Sequence, residues 1–106
     1  MSGTARLQVL QVPGCPHGAV LVARLRLLTG GQPAVETQLI HGQAEAQSRG
    51  MAGSPTVLID GTDPFPAAGP PGLSCRLYPD ETGSLYGSPS LTQLRAALAA
   101  RGIGPA

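Results

Sequence analysis

Apolar residues recur along this chain with two different periods. Over 6–12, "RLQVLQV", Leu7 and Val9 fall on one side of an extended segment and Leu10 and Val12 on the other, and Pro13-Gly14 ends the run. A strand apolar on both faces belongs inside a sheet that is covered on both sides. From His17 to Thr29 the period becomes helical, with Leu21, Leu25 and Leu28 at i, i+4 and i+7. Pro16 suits the first helical turn, and Gly30-Gly31 supplies the stop.

The pattern continues in shorter segments. "AVETQLIH" (34–41) alternates Val35, Thr37 and Leu39 against Glu36, Gln38 and Ile40, which predicts a second strand. "QAEAQSRG" (43–50) predicts a short helix stopped by Gly50, "TVLID" (56–60) a third strand, and "SCRLY" (74–78) a fourth. Between the last two lies the proline-rich loop 63–73, in which the one phenylalanine, Phe65, is expected to plug the edge of the core. Ser88 is placed to cap a last helix with Pro89 at its first position, a buried stripe of Leu91, Leu94 and Leu98, and a close at Arg101-Gly102.

The order is β-α-β-α-β-β-α: an α/β fold with a four-stranded mixed sheet and helices on both faces. The first βαβ unit crosses over right-handedly and pairs its strands in parallel. The last two strands, joined without a helix, are expected to run antiparallel to each other.

Composition narrows the reading further. At 106 residues the chain fits a single domain, 1–106, with its core over about 6–101. Hydrophobic residues make up 42% and aromatics only 3%, so the core must be built from Leu, Val, Ile and Ala. All seven basic residues are Arg and the formal net charge is +1, which offers no basic field for a nucleic-acid backbone. No apolar run is long enough to span a bilayer, and the N-terminus lacks the features of a signal peptide. A cytoplasmic protein with neither nucleic-acid nor membrane partners is expected, and two cysteines in a reducing compartment read as free, catalytic or metal-bound.

The chemistry centres on "GCPH". Cys15 directly precedes the first helix, where unpaired N–H groups and the positive end of the helix dipole favour a thiolate. It is a nucleophile, a soft-metal ligand or a small apolar residue at a strand end. His17 either supports a thiolate or is a solvated first-turn residue, and His41, at the end of a strand, reads as a bystander. Cys15, His17, His41 and Cys75 lack the spacing of a structural zinc site, so no metal and no cofactor is expected.

"GCPH" at the start of the first helix, "GSPTVLIDG" with Pro55 just before the third strand, and a closing β-β-α together resemble the thioredoxin-like superfamily. The resemblance spans roughly residues 6 to 101. Within the superfamily the chain is most similar to small bacterial proteins with G-C-P-H or G-C-P-N near the start, an "SPTV-x-x-DG-x-DPF" centre and a "CRLY" strand, grouped as thioredoxin-like or alkylmercury-lyase-like. The resemblance implies a cis Ser54–Pro55 bond, with Cys15 and His17 as catalytic residues and Pro16, Ser54, Pro55 and Thr56 as the substrate-binding surface. A cis bond there is expected to leave the Ser54 backbone free to pair with an extended partner.

One departure is chemical. Where C-x-x-C proteins carry a second thiol, this chain has Gly18. The resemblance then implies a monothiol protein that uses Cys15 for thiol–disulfide exchange, or for thiol-dependent binding of a protein or low-molecular-weight thiol. The alternatives are a non-catalytic binding module on the same fold and a protein that handles soft metals or organomercurials. Cys75 is not expected to replace the missing thiol. With a fourth strand running back along the third, it lies at the far end of the sheet, on the order of 12–15 Å away at ~3.3 Å per residue, whereas a disulfide needs Cα atoms within about 7 Å.

Overall fold

The computed structural model describes residues 5–65 and 71–103. Residues 66–70 of the proline-rich loop lie outside the described residues, as do the first four and last three of the chain. The elements are β1 (Leu7–Gln11), α1 (Pro16–Thr29), β2 (Val35–Leu39), α2 (Gln43–Arg49), β3 (Ala52–Ser54), β4 (Thr56–Ile59), β5 (Gly72–Cys75), β6 (Tyr78–Pro79), β7 (Leu85–Tyr86) and α3 (Leu91–Ala100).

The main sheet has the order β2-β1-β4. β1 pairs with β2 in parallel, Leu7 opposite Val35, as a βαβ unit requires. It pairs with β4 antiparallel, Val9 opposite Val57. The alternation along β1 sorts its side chains between two cores. Leu7 and Val9 join Val57 and Ile59, Leu21 and Leu25 of α1, and Leu94 and Leu98 of α3. Leu10 joins Leu58, Ile40, Met51 and Ala46 of α2, with Val12 packed against them. Helices therefore cover both faces of the sheet.

Several boundaries differ from expectation, each for a local reason. β2 does not alternate as its sequence suggests. Val35 enters the first core while Leu39 is exposed, and Ile40, one residue past the strand, turns into the second core. As the edge strand, β2 is packed at its ends rather than along one face. The cap of α3 is Ser90, not Ser88. The Ser90 hydroxyl accepts from the Gln93 N–H, and the Gln93 side chain accepts from the Ser90 N–H, a reciprocal capping box. Ser88 Oγ and the Pro89 carbonyl instead accept from Arg24 of α1, at 3.1 and 2.7 Å. With the start moved on by two residues, Leu91 falls at the rim and Leu94 and Leu98 carry the buried stripe.

The larger correction concerns the second half of the sheet. Among the described residues there is no single four-stranded sheet: β3 pairs with β5, and β6 with β7, as two small sheets beside the three-stranded one. "SCRLY" is not one strand but the end of β5 and the start of β6, interrupted at Arg76-Leu77. β5 does not pair with β4. It starts beside Met51, whose carbonyl accepts the Gly72 N–H, and runs parallel to β3, with Cys75 in register with Ser54. Cys75 therefore lies at the same end of the molecule as the start of α1, not at the far end of the sheet. Gly53 makes this pairing possible. It has φ +102°, and a Cβ there would lie 2.9 Å from the Arg76 Cβ and 3.0 Å from the Ser74 carbonyl oxygen.

Candidate functional site

Cys15 is the N-cap residue of α1, half-buried and with extended backbone dihedrals. Its N–H donates to the Val12 carbonyl at 3.2 Å, the short turn that carries the chain from β1 into the helix. An N-cap side chain ordinarily accepts from the first-turn N–H groups, and here none does. The first turn holds no acidic residue, so the thiol has the positive end of a 14-residue helix to itself. Pro16 follows at the first helical position, exposed.

His17 is exposed on that turn, and its ring lies against Gly87, between β7 and α3. A Cβ at Gly87 would come within 2.4 Å of the imidazole Cγ and Nδ1, so the glycine is what admits the ring. This contact joins the start of α1 to the β6–β7 hairpin, around which Leu77, Leu85 and Tyr86 are all more than half exposed. His41 is exposed beside α2, and its N–H donates to Glu45.

The Ser54–Pro55 bond is cis, and so is Gln32–Pro33. Ser54 and Pro55 are buried at the Cys15 end of the sheet. Ser54 Oγ accepts from the Val12 N–H at 3.1 Å, which ties the residue before the proline to the turn that presents Cys15. The backbone of Ser54 is not left free: its carbonyl accepts from the Arg76 N–H at 3.0 Å, because β5 occupies that edge. Thr56 is fully buried, its hydroxyl donating to the Gly53 carbonyl. The structure therefore brings Cys15, Pro16, Ser54 and Pro55 to one end, with His17 turned toward the hairpin and Thr56 inside.

Beneath the proline lies a polar knot that the sequence pattern does not single out. Arg76 is buried. Its guanidinium donates to Asp63 Oδ2 at 2.6 Å, to the Phe65 carbonyl at 2.9 Å and to Thr56 Oγ1 at 3.4 Å, and it lies 4.5 Å from the centre of the Tyr78 ring. Tyr78 is buried as well, with its hydroxyl donating to the Pro55 carbonyl. Burial pushes its phenol well above the ordinary tyrosine value, opposed by the Arg76 charge and reinforced by Asp63 and Cys15. Phe65 meets the Tyr78 ring edge to face at 5.7 Å and packs against the first core, as its expected plugging role requires. The available signal was an arginine inside an otherwise apolar-flanked strand, with an aspartate in the loop before it.

Both cysteines are free thiols, Cys75 exposed. Among the described residues no three His, Cys, Asp or Glu side chains gather as metal ligands, and no helix is long and apolar enough to cross a membrane. The chain matches no family model, no curated protein and no solved structure.

Proposed function

We propose that this is a thioredoxin-like protein whose motif thiol, Cys15, attacks a disulfide or captures a thiol-bearing partner. The observation that supports this most directly is the position of Cys15: the cap of a long helix, partly open to solvent, without a capping hydrogen bond or a competing carboxylate. A sulfur there stands where a capping oxygen would accept from the first-turn N–H groups. His17, when protonated, adds a cation on the same turn. Ser54 and Pro55 form the buried floor beside it, and a partner pairing with the Ser54 backbone has to displace β5. The exposed Leu77, Leu85 and Tyr86, joined to His17 through Gly87, suit a protein partner better than a small thiol.

The test compares the two cysteines. Reduced protein is treated with glutathione disulfide and mapped by peptide mass spectrometry over time. Cys15 is expected to form the mixed disulfide in the Cys75→Ser variant, at a rate that falls in His17→Ala. The Cys15→Ser variant leaves only slow modification at Cys75. If Cys15 stays unmodified while exposed Cys75 reacts, the thiol reading fails. The non-catalytic binding module, presenting the same hairpin, then takes its place.

A further inference from the structure

The motif that begins at Cys15 contains no group able to release a captured partner, since Gly18 stands one turn along. β5 supplies a second thiol from elsewhere in the chain. Cys75 is in register with Ser54, and the next N–H along, that of Arg76, is held by the Ser54 carbonyl at 3.0 Å. Ser54 holds the Val12 N–H at 3.1 Å, and Val12 holds the Cys15 N–H at 3.2 Å. Paired strands lie about 4.8 Å apart, so these successive contacts join the two cysteine-bearing segments across one end of the fold. Tyr78, three residues beyond Cys75, is tied to the same end: its hydroxyl donates to the carbonyl of Pro55, the residue after Ser54.

β5 is held on both sides of its exposed residues. Before them, Leu73 packs on the second core, the Gly72 N–H is held by Met51, and the Pro71 carbonyl accepts from the Gln43 side chain at 2.8 Å. After them, the Arg76 N–H is held by Ser54 and its guanidinium by Asp63. Between these ties the register with β3 is irregular and Ser74 and Cys75 are exposed, so the Cys75 thiol is open to solvent at the end of the fold that also carries Cys15.

We propose that Cys75 is the resolving thiol for Cys15; this rests on the reading of Cys15 as the attacking group. The Cys15 thiolate attacks a substrate disulfide, forms a mixed disulfide with one half and releases the other as a thiolate. The Cys75 thiolate, its proton lost to solvent, then attacks Cys15 Sγ. The bond to the bound half breaks, that half leaves as a thiolate, and a Cys15–Cys75 disulfide forms. Two electrons pass from the pair to the substrate. An external dithiol reduces the protein again.

The experiment uses the full reduced chain and one equivalent of the chromogenic disulfide 5,5′-dithiobis(2-nitrobenzoate). The wild type is expected to release two nitrothiolate anions per chain and end as a monomer two hydrogens lighter, with a linked peptide pair containing Cys15 and Cys75. Cys75→Ser is expected to release one and stop as a stable adduct on Cys15. A wild-type protein that also stops at the Cys15 adduct, or that links only between chains, overturns the resolving role while leaving the Cys15 reading in place. A Cys75→Ser protein that gains no adduct at Cys15 overturns that reading itself.

Discussion

At the scale of single residues, the space where a second motif thiol would stand is already taken. A Cβ built at Gly18 would lie 1.3 Å from Gln11 Oε1. That same oxygen is buried and has no hydrogen-bond partner among the described residues. Burying an unpaired amide oxygen costs roughly 1–3 kcal/mol, so Gln11 holds its position at the expense of stability. Replacing it by an apolar side chain of similar reach, Gln11→Leu, is expected to stabilise the protein by about 1 kcal/mol, read as a higher urea midpoint with an unchanged slope. Gly18→Ala in the wild type meets the carboxamide. In a Gln11→Ala background the same change is free to gain the roughly 0.5–1 kcal/mol that alanine holds over glycine inside a helix. The two substitutions should therefore be non-additive in a double-mutant cycle. Strict additivity would show that the Gln11 side chain swings out at no cost.

At the scale of elements, the segment from β5 to β6 is organised by one buried cation. The Arg76 and Asp63 side chains are 5% and 17% exposed, and they meet at 2.6 Å. Removing one partner of such a pair strands the other, so Arg76→Met is expected to cost about 3 kcal/mol, and the Arg76→Met/Asp63→Leu double variant clearly less. Urea unfolding of the four members of the cycle decides it; equal losses in the single and double variants would mean that Asp63 is solvated well enough to stand alone. This segment also marks the limit of what the sequence discloses. β1, β4, α1 and α3 are legible because each repeats its apolar residues within a short window and ends at a proline, glycine or capping residue. β3, β6 and β7 are two or three residues long and exist only through distant pairing, which no local period records. Cys15 could be placed because Pro16 marks the helix start beside it. Cys75 could not, because its location depends on β5 choosing β3 rather than β4 as its partner. That choice is fixed by Gly53 and by the ties to Met51 and Gln43, none of which is near it in sequence.

For the whole molecule, the two cores and the polar knot have unequal tolerance of pH. The cores are apolar and indifferent to it. The knot joins the proline-rich loop, β4 and β6 through Tyr78, whose hydroxyl must keep its proton to donate to Pro55. Its phenol is raised in the folded protein, chiefly by burial, whereas in the unfolded chain it titrates at about pH 10. The folded state therefore favours the protonated phenol. The stability this contributes is complete below about pH 10. It is lost as pH rises from there toward the folded value, because only the unfolded chain gains by ionising. Urea midpoints measured from neutral to strongly alkaline pH are expected to stay level and then fall once the unfolded phenol begins to ionise. Tyr78→Phe should start lower at neutral pH, having lost the bond to Pro55, and should lack that part of the alkaline fall. Tyr86, exposed on β7, serves as the control, since Tyr86→Phe removes a phenol that solvent already reaches in the folded protein and should leave the alkaline fall in place. If Tyr78→Phe and wild type fall in parallel, the alkaline sensitivity arises elsewhere, and Tyr78 is not what couples the knot to the fold.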